Sequence, residues 1–100
     1  ASTVAVVSPT PRSTVQGDRV VVNLRTSNFD ISNQGGPLSS HQGHIHLTLD
    51  DRTYTVVYGT RFTFRDVPPG EHHLVVVVAR NDHTPVPTLD PIEIDFTTTE

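Results

Sequence analysis

The chain has 100 residues, a formal net charge of −4 and no cysteine, methionine or tryptophan. Its length is close to the commonest domain size, so we expect one immunoglobulin-like domain spanning residues 1–100. Without cysteine there is no disulfide framework, zinc finger or thiol nucleophile, and seven dispersed arginines lack the basic stripe of a nucleic-acid-binding protein.

Short segments with a period of two dominate the chain. In order they are TVAVV (3–7), RVVVNLRT (19–26), HIHLTLD (44–50), TYTVVY (53–58), RFTFRD (61–66), HHLVVVVAR (72–80) and IEIDFTT (92–98). β-branched residues in alternation favour strands, and most prolines fall between these segments, where strands end. The sequence therefore predicts an all-β, immunoglobulin or fibronectin type III-like sandwich of about seven antiparallel strands.

The connection from residue 27 to residue 43 is unusually long and rich in Ser, Asn, Gln and Gly. Connections beyond about 12–15 residues are uncommon within a domain and are often functional. This one leads directly to the first histidines. The alternatives to a functional loop are a mobile loop and a loop that contains a short edge strand, and together they weigh about as much as the functional interpretation.

His44 and His46 lie in the third predicted strand and alternate with Ile45, Leu47 and Leu49. Because side chains alternate across a strand, the apolar residues face the core and both histidines project from the opposite face. Two imidazoles spaced in this way can converge on one ion through bonds of ~2.0 Å. Polar residues on any exposed strand face would give the same pattern.

The remaining histidines are harder to interpret. His72 alternates with apolar residues in a strand that is apolar on both faces, as in a central strand or a strand used in association. It fits either a hydrogen-bonded structural residue at the strand start or a metal ligand. His83, in NDHTP, fits either a turn cap or a ligand oriented by the neighbouring carboxylate. His73 is predicted to lie at the surface.

GHIH at 43–46, PGEHHL at 69–74 and NDHTP at 81–85 occur in this order. Here the sequence resembles a group of small exported bacterial β-sandwich domains of unknown function with the pattern G-H-x-H, P-G-x-H-x-L and N-D-H-x-P. The resemblance covers roughly residues 42 to 87 and implies a metal site, with copper often suspected. The pattern histidines correspond to His44, His46, His72 and His83, whereas His41 and His73 lie outside it.

Strict alternation would separate His72 from His44 and His46 by the thickness of the sheet, unless a bulge or a strand end intervenes. Without either, the ligands would be His44, His46 and His83, with His41 as a further candidate. An all-imidazole set suits copper or zinc. The absence of cysteine and methionine excludes a blue-copper site.

We therefore expect a non-catalytic module that binds a copper or zinc ion. Motifs for serine, zinc-protease or phosphate-loop chemistry are missing from the sequence, so we do not expect an enzyme. The alternative is a structural or adhesion-type spacer domain of a larger surface protein, without a metal site.

Location and partners follow from the same features. The chain starts at Ala1 with no methionine and no signal peptide, so we expect a trimmed or mature segment. The resemblance to exported domains implies a periplasmic or extracellular location. No apolar run approaches the ~20 residues of a membrane span. Besides a metal ion, the strand containing VVVV would allow a homodimer or a protein partner if it lay at a sheet edge.

Overall fold

The computed structural model describes residues 2–31, 42–80, 84–86 and 89–100. The described residues form nine strands: β1 Thr3–Ser8, β2 Thr14–Gln16, β3 Val20–Ser27, β4 Asp30–Ile31, β5 Gln42–Leu49, β6 Thr53–Val57, β7 Arg61–Phe64, β8 Gly70–Arg80 and β9 Ile92–Thr99. None of these residues is helical, so no helix long and apolar enough to cross a membrane is found among them.

The predicted all-β sandwich is confirmed, and each of the predicted segments corresponds to a strand. The long strands pair in antiparallel fashion, whereas the two additional strands are short and pair in parallel, β2 with β9 and β4 with β5. Strands of three and two residues are too short to show a period of two, which is why the sequence did not reveal them.

Two sheets enclose the core. One sheet has the order β1-β3-β7, and the other has the order β2-β9-β8-β5-β4, with β6 also paired to β5. Their facing apolar side chains form one cluster, as expected for a sandwich. Its largest fully buried members are Ile45, Leu47, Leu74, Val20, Val22, Val76, Val78 and Val86.

The strand that contains VVVV, β8, is a central strand. It pairs with β5 on one side and with β9 on the other. Both of its edges are therefore occupied, and a homodimer cannot form by edge-to-edge pairing through it.

The long connection after β3 contains the short edge strand β4. Phe29, just before β4, is buried, and Ile31 packs against the core. One of the two alternatives for this connection is thus confirmed. Residues 32–41, including His41, lie outside the described residues, and a functional role for them stays a prediction.

Gly43 allows β5 and β8 to approach each other closely. A Cβ atom at this position would lie 1.9 Å from the carbonyl oxygen of Ala79. Gly43 pairs with Arg80 at the end of the β5–β8 ladder, so neither backbone can move without breaking the pairing next to His44. A residue with a Cβ atom therefore does not fit at the position before His44.

We expect Gly43→Ala to lower the free energy of unfolding by about 3 kcal/mol or more, because the methyl group meets backbone. Gly59→Ala is the matched control, since a Cβ there would have nothing within 4 Å. Urea denaturation of both variants measures the difference. Equal losses in the two variants would contradict this role of Gly43.

Candidate functional site

His44 and His46 lie side by side on the outer face of the larger sheet. They project away from Ile45, Leu47 and Leu49, all of which are buried in the core. The Nε2 atoms of the two histidines are 2.9 Å apart, and the ring centroids are 4.8 Å apart. The two rings therefore come together on one face of the sheet, as the alternation of the strand predicted.

Two tyrosines flank the pair. The Tyr54 hydroxyl lies 3.0 Å from Nδ1 of His46, and the two rings meet edge to face with centroids 5.5 Å apart. The ring of Tyr58 packs against His44 with a centroid distance of 5.3 Å. Each histidine ring is therefore in contact with a different tyrosine.

The pair lies in largely apolar surroundings. His44 is only 2% exposed although it is on the outer face, and its cross-strand neighbour is the buried Ala79. His46 is half-buried and pairs with Val77 on β8 and Val56 on β6. Neutral imidazole is the form of histidine that binds metals.

His72 lies on the opposite, core-facing side of the same sheet. Its Nδ1 donates to Oδ2 of Asp50 at 2.6 Å, and its Nε2 lies 2.8 Å from the carbonyl oxygen of Pro68 and 3.0 Å from Oγ1 of Thr98. Thr98 itself donates to the Pro68 carbonyl. Both ring nitrogens of His72 thus have oxygen partners within the protein.

The structure does not bring His72 to His44 and His46. A bulge in β8 would be needed to turn His72 outward, but the pairing of β8 with β9 is continuous through His72 opposite Phe96. The sheet itself separates the two sets of rings. The contacts of His72 are those of a structural residue, which was the alternative to its role as a ligand.

Asp50 holds the turn between β5 and β6 to the start of β8. Asp50 and Asp51 both have positive φ, 58° and 56°, and Arg52 closes the turn with a 3.1 Å bond to Leu49. Besides accepting from His72, the Asp50 carboxylate accepts from the backbone N–H of His73 at 2.7 Å. Asp50 is therefore bonded to two consecutive residues of β8.

His73 lies on the same outer face as His44 and His46, near the other end of β8. Its Nδ1 is 2.6 Å from Asp95 and its Nε2 is 3.1 Å from Glu93. The hydrogen bond to Asp95 raises the pKa of His73 above its ordinary value of 6.5, desolvation opposes the rise, and Glu93 adds to it. These contacts cross-link β8 to β9 rather than gathering further histidines.

His83, the fourth predicted ligand, lies outside the described residues, as does His41. The nearest described residues on either side of it, Arg80 and Thr84, are held together by a 2.8 Å backbone hydrogen bond. Arg80 in turn pairs with Gly43, the residue before His44. Among the described residues, no three His, Cys, Asp or Glu side chains are grouped so as to hold a metal ion.

The contact of Tyr54 with the histidine pair was not part of the sequence prediction. The signal was present: β5 and β6 form a hairpin in which Tyr54 lies opposite Thr48, diagonal to His46 on the same face. A long aromatic side chain reaches such a diagonal neighbour. To predict this register from the sequence, one would have to know which type of turn Asp50 and Asp51 form.

Comparison with solved structures identifies the fold. Fibronectin(III)-like modules of Clostridium thermocellum CbhA superpose with a TM-score of 0.65 at 13% identity, covering 97% of each chain. The chain has a fibronectin type III-like fold. A crystal structure of an engineered protein also matches, with a TM-score of 0.62 and 8% identity, and this chain spans 20% of its length.

No family model matches the sequence, and no curated protein matches it either. At these low identities the structural likeness concerns the fold alone. The immunoglobulin-like sandwich implied by the sequence resemblance is thus confirmed. The histidine pattern and its metal stay predictions.

We expect His72→Ala to lower the free energy of unfolding by about 2–3 kcal/mol, because it leaves a cavity and strips Asp50 of a partner. His73→Ala, on the outer face of the same strand, is the control and should cost much less. Chemical denaturation of the two variants provides the comparison. If the control were equally destabilised, the structural role of His72 would be refuted.

Proposed function

We propose that the chain is a non-catalytic copper-binding module in which His44 and His46 are adjacent ligands. The observation that carries this proposal is the 2.9 Å separation of the two Nε2 atoms. Two bonds of ~2.0 Å that meet at a right angle place their nitrogens ~2.8 Å apart, whereas tetrahedral bonds place them ~3.3 Å apart. The pair is thus closest to adjacent corners of a square-planar ion.

Affinity favours Cu(II) over Zn(II) in this proposal. Square-planar coordination by imidazole nitrogens is typical of Cu(II), and Cu(II) is also the tightest binder among the common divalent ions. The 2.9 Å separation by itself does not discriminate between the two ions. In the metal-free pair, the same separation corresponds to an N–H···N hydrogen bond.

His83 is our proposed third ligand. The support for it is the NDHTP pattern, together with the pairing of Arg80, three residues before it, with Gly43 next to His44. His41 is the further candidate. His72 is not included, since it lies across the sheet and is bonded to Asp50.

The proposed role is binding rather than catalysis. The sequence lacks the motifs of serine, zinc-protease and phosphate-loop enzymes, and the fold alone does not assign a catalytic function. A bacterial module of this kind would bind its ion in the periplasm or outside the cell, which is where the sequence led us to expect the protein.

A spacer domain without a metal is the second candidate, and one observation favours it. The first strand starts where the Ser2 hydroxyl donates to the Asn28 carbonyl, and the last strand ends where the Gly17 N–H donates to the Thr99 carbonyl. These points lie at opposite ends of β3, in a molecule 44 Å long and 21 Å wide. Domains with this arrangement can be joined in extended rows.

Titration of the metal-stripped protein with Cu(II) and Zn(II), against a competing chelator, tests the proposal. We expect one equivalent of Cu(II) to bind more tightly than Zn(II), and His44→Ala with His46→Ala to weaken copper binding at least 100-fold. His83→Ala should weaken it by a smaller factor. Binding should also weaken as the pH falls, because protons compete with the metal ion for the imidazole nitrogens.

His73→Ala is the matched control, since His73 is a histidine of the same sheet face with different partners. Its affinity for copper should equal that of the wild type. Weak binding of several equivalents, unchanged in the double variant, would refute the metal site and leave the spacer role.

A further inference from the structure

We infer that Tyr54 is a positioning residue that holds the ring of His46 through Nδ1, so that both histidines present Nε2 to one ion. This inference rests on the copper site proposed above. Tyr54 is the residue whose hydroxyl lies 3.0 Å from Nδ1 of His46, on the side of the ring away from His44. It is 58% exposed, so this contact is not enforced by burial.

The positions of the ring protons in the metal-free pair determine how the Tyr54 hydroxyl bonds to His46. With Nε2 atoms 2.9 Å apart and both rings neutral, one Nε2 carries a proton and the other accepts it. If Nε2 of His46 is the donor, its Nδ1 is bare and accepts from the Tyr54 hydroxyl. If Nε2 of His46 is the acceptor, its Nδ1 carries the proton and donates to the hydroxyl oxygen.

Binding of one ion by both Nε2 atoms permits only one of these arrangements for His46. Its Nε2 must be bare, so its remaining proton sits on Nδ1 and donates to Tyr54. A hydroxyl can switch from donor to acceptor by rotation, and therefore it bonds the ring in the metal-free and in the metal-bound protein. Partners of this kind, which orient the ring of a ligating histidine and accept its remaining proton, commonly change metal affinity by about 10–100-fold.

The chain contains a matched control in Tyr58. This tyrosine contacts the other histidine of the pair through its ring, with a centroid distance of 5.3 Å and planes inclined at 53°. Like Tyr54, it is substantially exposed, at 47%. Removal of its hydroxyl preserves the ring contact, whereas removal of the Tyr54 hydroxyl eliminates a hydrogen bond to a ligand.

The test compares copper titrations of the wild type, Tyr54→Phe and Tyr58→Phe. We expect Tyr54→Phe to raise the Kd for Cu(II) about tenfold, and Tyr58→Phe to change it less than twofold. Ring ¹⁵N chemical shifts of the metal-free protein supply the second readout. Those of His46 should change in Tyr54→Phe, which removes the hydrogen bond to its Nδ1, and stay unchanged in Tyr58→Phe, whose ring contacts His44 instead.

Each outcome has a distinct meaning. Equal Kd values and unchanged His46 shifts in the two variants, with tight binding by the wild type, would overturn the role of Tyr54 and leave the copper site standing. Failure of the wild type to bind one equivalent of copper would overturn both proposals. Chemical denaturation of each variant should give the wild-type midpoint, since both hydroxyls belong to exposed side chains.

Discussion

Seven consecutive residue pairs join β5 to β8, from Gly43 opposite Arg80 to Leu49 opposite Leu74. Because this register is unbroken, every side chain of the two central strands is assigned to one face of the sheet. It places Ile45, Leu47 and Leu49 of β5 and Leu74, Val76 and Val78 of β8 in the core. The same alternation puts His44 and His46 on the outer face and His72 on the inner one. The close approach at Gly43 keeps the ladder intact at the end where the histidine pair begins.

Histidines on the inner face and on the outer face of the larger sheet have different roles. On the inner face, the nitrogens of His72 are occupied by Asp50 and by the Pro68 carbonyl, so this ring joins the turn after β5 to the start of β8. A buried polar side chain needs such partners, since burial without them is costly. On the outer face, His44 and His46 have each other's Nε2 as a partner. An ion that replaces the shared proton can bond to both nitrogens at once.

Much of this arrangement follows from local sequence. Alternation of apolar and polar residues was enough to predict the long strands, the convergence of His44 and His46, and the difficulty of including His72 with them. The partners of these residues could not be predicted in the same way. Asp50 meets His72, and Tyr54 meets His46, only after the hairpin and the strand pairing bring separate segments together. Contacts of this kind depend on turn geometry and on register, which single-sequence patterns specify weakly.

The central claim, that one ion lies between the Nε2 atoms of His44 and His46, is tested most directly by crystals of the protein soaked with Cu(II). An anomalous difference map recorded at the copper absorption edge locates the ion without assumptions about its ligands. We predict one strong peak about 2.0 Å from both Nε2 atoms, on the outer face of the sheet. A map without a peak between the two rings, or with its main peak beside His72 or His73, would contradict the claim.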